Sequence, residues 1–208
     1  RTPMKHLIPS LVCVCTTALL SLFGVINSSA RETEIVVSVV DQQLAVVKNG
    51  TVKATFSVST SKYGVGDRLG SYKTPLGKFV ISQKIGHSAR SGAVFKSRKQ
   101  TGEVVKANSP GRDPIVTRIL WLDGREQKNR KAHDRGIYIH GTPDERNIGR
   151  PVSYGCIRMT SKDVIALFNM VPVGSSVEIS NMTLASTLTS QSYIAFSPGN
   201  LSLRPFNE

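Results

Sequence analysis

The chain has 208 residues, with 27 Lys and Arg against 14 Asp and Glu and a formal net charge of +13. This length allows one domain with a substantial core, and the excess of positive charge favours an anionic partner. Nucleic acid is the usual partner of so basic a chain, but the sequence contains no recognisable nucleic-acid-binding motif, and its first thirty residues argue against that partner as well.

Residues 1–30 have the pattern of a secretory signal peptide. They begin with a short basic segment around Lys5, continue with an apolar run over residues 7–26 and end in the small-residue sequence SSA, which predicts cleavage after Ala30. An uncleaved membrane anchor is the alternative, because the run is close to the ~20 residues that a bilayer span needs. We therefore expect an exported protein of the periplasm or cell envelope. Its anionic partner is then expected to be cell-wall polymer or phospholipid, and a solvated basic face without a specific partner is the alternative.

The leader contains two of the three cysteines. Removal of Cys13 and Cys15 leaves Cys156 alone, so the mature chain has no internal disulfide. Cysteines of exported proteins usually form disulfides, so a single thiol in an oxidising compartment indicates a role other than an internal disulfide.

Strand signals dominate the first part of the mature chain. β-Branched runs from Glu34 onward are interrupted at residues 41–43 and by Asn49-Gly50, and an Asn-Gly pair between apolar runs is a strong hairpin signal. These runs predict a meander of three antiparallel strands. A glycine-rich segment with a turn at Pro75 follows, and a further strand is predicted at about residues 78–83.

The middle of the chain alternates between polar segments and strands. Residues 86–114 are rich in Ser, Gly, Lys and Arg and predict a long irregular insertion with at most a short strand at residues 93–95. Strand character resumes in PIVTRILWLDG and again in GIYIHGT. In the second of these, Tyr138 and His140 are expected on one polar face, because side chains alternate along a strand.

One helix with clear boundary signals follows the cysteine. Thr160 and Asp163 form a capping pair, apolar residues recur at helical spacing from residue 164 to residue 171, and Pro172 comes after the last of them. A strand is predicted in SSVEIS, and residues 181–208 are predicted to be a poorly ordered tail. The predicted fold is therefore one mainly β domain over residues 34–180, built of antiparallel sheets or a sandwich, with one helix after the cysteine.

Cys156 has the sequence context of a nucleophile. It follows Gly155 in a polar approach from strand to helix, where backbone N–H groups can converge on a developing oxyanion. A thiol needs a base or local dipoles to become reactive, and His140 is the best-placed histidine, with His133 and His87 as weaker alternatives. No close pair of His or Cys ligands has zinc spacing, so no metal is expected.

The segment IYIHGTPDERNIGRPVSYGCIRMTSKDVIALF resembles the signature of the L,D-transpeptidase (YkuD-type) catalytic domain. That signature has His-Gly-Thr, a short loop and Ser-His-Gly-Cys followed by a pair such as Ile-Arg. The segments STSKYG, TPLGKF and TRILWLDG are also similar to the family, so the resemblance covers roughly residues 34–180. It implies a YkuD-type fold.

The resemblance also implies roles for individual residues. It implies that Cys156 is the nucleophile, that His140 is its base and that the carbonyl of Gly141 orients the imidazole. It further implies that the N–H groups of Tyr154, Gly155 and Cys156 form an oxyanion hole. Arg158 is implied to hold the active-site hydrogen bonds or to bind a substrate carboxylate, and Tyr138 is expected at a substrate-binding position. A purely structural Arg158 is the alternative. The sequence departs from the family at Tyr154, where many members have a second histidine.

The implied activity is cysteine acyl transfer on peptidoglycan. In this reaction a tetrapeptide stem forms a thioester with Cys156, D-alanine leaves and the amine of a second stem forms a 3-3 crosslink, without a cofactor. Carbapenems are implied to acylate the same thiol. With water as the acceptor the same site would be a carboxypeptidase, and with a protein lysine it would be an anchoring enzyme. The alternative that is not an enzyme is a wall-binding module without turnover. A papain-type peptidase is disfavoured because His140 precedes Cys156. The oligomeric state is left open.

Overall fold

The structure is a computed structural model that describes residues 33–190. Ten strands form one connected sheet, in which the order of hydrogen-bonded neighbours is β3-β2-β1-β10-β4-β7-β5-β6, with β8 paired to β7 and β9 paired to β8. The strands are β1 (Thr33–Ser38), β2 (Gln43–Lys48), β3 (Thr51–Ser57), β4 (Gly77–Ile85), β5 (Ala93–Lys96), β6 (Lys99–Val104), β7 (Ile115–Gly124), β8 (Tyr138–Gly141), β9 (Ile157–Met159) and β10 (Ser176–Ser180). The helices are α1 (Ser161–Met170), α2 (Leu184–Ser190) and a short 3-10 helix (Glu145–Asn147). The mainly β prediction is confirmed.

The antiparallel meander β1–β3 is also confirmed. β1 pairs with β2 and β2 with β3, both antiparallel. Asn49 and Gly50, which join β2 to β3, have φ angles of 52° and 69°. A type I′ turn requires positive φ at both positions, which explains why this dipeptide is a reliable hairpin signal.

The principal core lies between the sheet and α1. Apolar side chains of β1, β2, β4, β7, β8, β9 and β10 pack there against Val164, Leu167 and Phe168 of the helix. The hydroxyl of Thr160 accepts a hydrogen bond from the backbone N–H of Asp163, at 3.1 Å, so the predicted cap is formed. The helix follows the cysteine, as predicted, and the short strand β9 lies between them.

The sheet is antiparallel, as predicted, except at two places. β1 pairs with β10 in parallel, and β8 pairs with β9 in parallel. Parallel neighbours require a crossover connection rather than a hairpin, and residues 142–156 provide it between β8 and β9. This second pair aligns His140 with Arg158 and therefore builds the candidate site.

The insertion at residues 86–114 is more regular than predicted. It contains a hairpin of β5 and β6, in which β5 also pairs with β7. Every residue of β6 is exposed, so the strand lacks the apolar alternation by which a sequence reveals a strand. Ser97 and Arg98, the two residues of the turn, have φ of 49° and 66° without being glycine, so the turn signal is missing as well.

The predicted tail begins with a helix. Residues 184–190 form α2, whose Leu184 is buried against Val36, Ala45 and Val47 on the second face of the meander. The backbone N–H of Leu184 donates to the Asp41 carboxylate at 2.6 Å. Continuous apolar runs such as EIVV and LAVV are typical of strands that are covered on both faces, and this was the signal for a covering element.

The predicted leader and the rest of the predicted tail lie outside the described residues. Within residues 33–190, no helix is both long enough and apolar enough to cross a lipid bilayer.

Candidate active site

The parallel pairing of β8 with β9 brings Cys156 and His140 into neighbouring segments of the chain. Ile139 is aligned with Ile157 and His140 with Arg158. Cys156 precedes β9 by one residue and packs in the same side-chain cluster as Tyr138. From strand spacing and rise, the Cα atoms of His140 and Cys156 are expected to lie about 8 Å apart on this diagonal.

The thiol of Cys156 lies against the backbone that leads into β8. Its Sγ donates to the carbonyl oxygen of Gly136 at 3.3 Å and accepts from the N–H of Tyr138 at 3.4 Å. The side chain is half-buried. The imidazole of His140 is not among the hydrogen-bond partners of Sγ in the described chain, so the thiol proton is held by a carbonyl in this state.

Burial keeps the thiol protonated. It raises the pKa of Cys156 to about 11, although the N–H of Tyr138 and the charges of Arg158 and Arg135 act in the opposite direction. A preformed thiolate, one of the two routes to a reactive cysteine, is therefore not the resting state.

The imidazole of His140 is buried and neutral. Its Nδ1 lies 2.9 Å from the carbonyl oxygen of Gly141, which is the contact expected from the sequence. Burial is the largest effect and Arg158 adds to it, so the pKa of His140 falls to about 4 despite that hydrogen bond and the charge of Asp113. A carbonyl accepts only from an N–H, so Nδ1 carries the proton and Nε2 has the free lone pair.

The cysteine turn (residues 153–156) is held by polar side chains. The Ser153 hydroxyl donates to the carbonyl of Cys156 at 2.6 Å and accepts from the N–H of Gly155 at 3.2 Å. The Thr74 hydroxyl donates to the carbonyl of Gly155 at 3.0 Å. Gly155 has a φ of 118°, and a Cβ there would lie 3.2 Å from the carbonyl oxygen of Lys73. Glycine is thus required at this position.

The side chain of Tyr154 contacts two other tyrosines and a lysine. It is 58% exposed, and its ring lies 5.7 Å from that of Tyr63 and 5.8 Å from that of Tyr72, measured between centroids. The ammonium of Lys62 donates to its hydroxyl at 3.1 Å. None of these contacts involves Sγ or the imidazole.

Arg158 is buried and bound by the protein itself. Its guanidinium forms an ion pair with Asp113 and donates to the carbonyl of Val152. Asp113 also accepts from the hydroxyl of Thr142, the residue that follows His140-Gly141. These contacts favour the alternative that Arg158 has a structural role. Through Asp113 and Thr142, Arg158 connects β9 to the end of β8, and it places a positive charge near the imidazole.

Tyr138 connects the thiol to an aromatic group. Its ring is perpendicular to that of Trp121 at 5.6 Å, and its hydroxyl accepts from Arg98 at 3.3 Å. The side chain is buried, so the face that the sequence predicted to be polar is not a solvent-exposed face.

The other histidines lie in different surroundings. The ring of His133 is stacked on Trp121, with 4.0 Å between centroids, and His87 packs edge-on against Phe168. Among residues 33–190, no three His, Cys, Asp or Glu side chains are grouped so that they could hold a metal ion.

Sequence reasoning missed three residues that shape the site: Ser153, Thr74 and Asp113. Thr74 lies in the segment TPLGKF and Ser153 lies in SYGC, so both were within motifs that the sequence analysis had singled out. Asp113 lies in the insertion, and its partnership with Arg158 spans 45 positions without any local signal.

Comparisons with known proteins identify the family of the chain. The family model described as the L,D-transpeptidase catalytic domain matches residues 32–179. A Bacillus subtilis (strain 168) protein named "Putative L,D-transpeptidase YqjB" is 32% identical over 140 residues, which are 67% of this chain and 66% of that protein. A second protein of that strain, named "Putative L,D-transpeptidase YkuD", is 56% identical over 41 residues, which are 20% of this chain and 25% of that protein.

A solved L,D-transpeptidase from Mycobacterium smegmatis is similar at 20% identity and a TM-score of 0.46, over 72% of this chain and 58% of that one. This chain thus spans about two-thirds of the length of YqjB and less of the other two. Because the family model covers well over half of the chain, the protein belongs to the L,D-transpeptidase (YkuD) family.

Proposed function

We propose that this protein is a cysteine acyltransferase that forms 3-3 crosslinks between peptidoglycan tetrapeptide stems. The observation that carries the proposal is the parallel β8–β9 pair. The pair supports the proposal because the neutral, buried imidazole of His140, with a free Nε2, shares a face of β8 with Tyr138, and Cys156, the only cysteine among the described residues, packs with Tyr138. An imidazole whose pKa is about 4 is unprotonated at neutral pH and can accept a proton from the thiol.

The first half-reaction is acylation of Cys156. As the donor's scissile carbonyl reaches Sγ, the thiol proton passes to Nε2 of His140 and Sγ attacks the carbonyl carbon. The C–N bond to the terminal D-alanine then breaks, and the proton on His140 goes to the departing amine. The product is a thioester on Cys156, and the two catalytic groups are left neutral.

The second half-reaction returns the enzyme to its starting state. The amine of a second stem gives its proton to His140 and attacks the thioester carbonyl. The C–S bond breaks, and the proton returns to Sγ. Both steps use the same nucleophile and base, so the proposed mechanism has no step that needs a cofactor or a metal.

The negative charge on the carbonyl oxygen is proposed to be stabilised by the N–H groups of Tyr154, Gly155 and Cys156. The N–H of Gly155 already donates to Ser153, so it must share or exchange that partner when the tetrahedral intermediate forms. Ser153 and Thr74 act as positioning residues because they fix the turn rather than touch the substrate.

Residues 1–30 are proposed to export the protein to the periplasm or cell envelope, where the basic chain contacts anionic wall polymer. There the 3-3 crosslinks would contribute to cell-wall organisation and shape. Residues 34–180 are proposed as the catalytic domain. Within the same site, water or a protein lysine as acceptor would give a carboxypeptidase or an anchoring enzyme.

The test is a product assay with purified tetrapeptide muropeptides. We expect released D-alanine and dimeric muropeptides from the wild-type chain and neither from Cys156→Ala. D-alanine without dimers would identify water as the acceptor. Neither product from the wild type, with a folded protein by circular dichroism, would favour a wall-binding module.

A carbapenem provides a second test with a mass readout. We expect one adduct on Cys156 in the wild type and none in Cys156→Ala, because the same attack opens the strained lactam. Tyr154→His should acylate at a rate similar to the wild type, since the contacts of Tyr154 involve neither Sγ nor the imidazole. An adduct that forms only in Tyr154→His would mean that tyrosine disables the site.

A further inference from the structure

A cationic pocket lies beside the thiol and has no part in the proton transfers described above. It has a volume of about 340 Å³ and is lined by Arg98, Trp121, His133, Asp134, Arg135, Gly136 and Tyr138. Two of these residues hold the thiol, because Sγ donates to the carbonyl of Gly136 and accepts from the N–H of Tyr138. A group bound in this pocket would therefore contact the same two residues that bond the sulfur.

The hairpin turn of the insertion supplies the pocket's unpaired charge. Arg98 lies in the two-residue turn between β5 and β6, and its guanidinium lies 4.4 Å from the centroid of the Trp121 ring. It also donates to the hydroxyl of Tyr138 at 3.3 Å. These two contacts orient the guanidinium while leaving further N–H donors unused.

Neighbouring charges do not neutralise Arg98. Within residues 33–190 it forms no ion pair, whereas Arg135 is bound to Asp67 at 2.7 Å and its side chain is buried. Asp134 is the one carboxylate among the residues that line the pocket, and its side chain is 85% exposed and lies 3.8 Å from Nδ1 of His133. Arg98 is therefore the group that can bind an incoming anion.

The Trp121 ring, on which Arg98 lies, is held in place by its neighbours. Trp121 is sandwiched between the guanidinium and the ring of His133, which is parallel to it within 4°. Its indole N–H donates to the backbone carbonyl of His133 at 3.1 Å, so the ring cannot turn without losing that bond. A planar cation fixed in this way favours a planar, bidentate anion such as a carboxylate.

We propose that Arg98 binds a carboxylate of the donor stem peptide and thereby aligns the scissile bond with Cys156. This inference rests on the proposed function, because the donor identity comes from it. An extended residue spans about 3.6 Å, so the carboxylates of a tetrapeptide stem lie at different distances from the scissile carbonyl, and only one that matches the separation of Arg98 from Sγ can bind there. The insertion at residues 86–114 thus has a role in substrate selection.

The test measures binding without turnover, in Cys156→Ala. Trp121 is the only tryptophan of the chain, so its fluorescence reports occupancy of this pocket. The ligands are a synthetic tetrapeptide stem with a diamino dicarboxylic acid at its third position, and three derivatives. Each derivative is amidated at one carboxylate: that of the glutamate, that of the diamino acid or that of the C-terminus.

We expect one amide to bind about tenfold more weakly than the free acid, because it loses a charge-assisted bond to Arg98. The amide that loses affinity identifies the carboxylate. The difference should disappear in Arg98→Gln and persist in Lys99→Gln, which removes a neighbouring charge that does not line the pocket. In the otherwise wild-type enzyme, Arg98→Gln should raise KM about tenfold with a smaller effect on kcat.

Two results would overturn the inference. One is equal affinity for all four peptides, or no fluorescence change with any of them; the other is discrimination that survives Arg98→Gln. The proposed function fails separately, if the wild type releases no D-alanine, and that outcome does not alter the binding comparison in Cys156→Ala.

Discussion

The meander β1–β3 and the cysteine turn are stabilised by different interactions. In the meander, side chains such as Ile35, Leu44 and Val46 are fully buried, and regular antiparallel ladders satisfy the backbone. In the cysteine turn, the hydroxyls of Ser153 and Thr74 satisfy the backbone instead. The meander can therefore lose one methyl group and keep its geometry, whereas a single lost hydroxyl can displace the thiol.

The same difference appears in the titrating groups. His140 is buried and Cys156 is half-buried, both near the charge of Arg158, and for each group burial shifts the pKa in the direction that favours its neutral form. Neither group is charged at neutral pH, and in the proposed mechanism the proton passes from sulfur to nitrogen only when a substrate is bound. The thiol and the imidazole are therefore both uncharged in the resting site.

The largest expected effect is on the base. His140→Ala should lower the rate of D-alanine release by about 100-fold or more, because general-base catalysis contributes that much and His133 and His87, the other histidines among the described residues, are stacked on Trp121 and packed against Phe168. The midpoint of thermal unfolding should change little by comparison. His87→Ala is the matched control, because His87 is exposed and packs against Phe168.

Equal losses of activity in the two histidine variants would contradict the assignment of His140. They would mean that imidazole removal acts through the fold rather than through the proton transfer.

The next effect is on the turn. Ser153→Ala removes a donor to the carbonyl of Cys156 and an acceptor for the N–H of Gly155, so kcat should fall about tenfold while KM changes less. Ser153→Thr should restore part of the rate, because it returns the hydroxyl. Ser82→Ala is a control for loss of a hydroxyl on the sheet, where the side chain bonds the carbonyl of Trp121. If Ser153→Ala keeps the full rate, the turn does not depend on that hydroxyl.

The resting protonation state gives the third prediction. The ultraviolet absorbance of the thiolate, taken as wild type minus Cys156→Ala, should be absent at pH 7 and should rise towards pH 11, the direction in which burial shifts the pKa of Cys156. A preformed ion pair with His140 would instead give that absorbance at neutral pH.

The lowered pKa of His140 should make the free energy of unfolding depend on pH between about 4 and 6.5. The pKa of His140 is lowered from 6.5 to about 4 in the folded protein, so below pH 6.5 the unfolded chain binds a proton that the folded protein does not. Stability should therefore fall as pH decreases from 6.5 to 4. His140→Asn should flatten this part of the curve, and an unchanged slope would show that other groups cause it.

The smallest effect on activity is expected in the meander. Val46→Ala removes two buried methyl groups from the core, and we expect it to lower the free energy of unfolding by about 2 kcal/mol. The kcat of the folded protein should stay the same. A large loss of kcat at permissive temperature would show that the meander and the site are more closely coupled than their contacts indicate.

These differences also explain how much the sequence could predict. Asn49-Gly50 and the cap at Thr160 are local signals that act within a few residues, and both were interpreted correctly. The catalytic pairing of His140 with Cys156 was predicted from a motif, and it stays a prediction.

Other features depend on distant partners. β6 is an exposed polar strand that exists because β5 lies beside it, and its turn at Ser97-Arg98 has positive φ without glycine. The contact of Asp113 with Arg158 and that of Thr74 with Gly155 join segments 45 and 81 positions apart. Local patterns cannot reveal such contacts, because they do not specify the path by which the chain brings two distant segments together.

The most direct test of the central claim is the intact mass of the protein after brief mixing with a tetrapeptide donor and no acceptor. We expect a wild-type adduct equal to the donor minus D-alanine, located on Cys156 by peptide mapping and formed far more slowly in His140→Ala. No adduct on Cys156 under conditions in which D-alanine is released, or an adduct on another residue, would contradict the account.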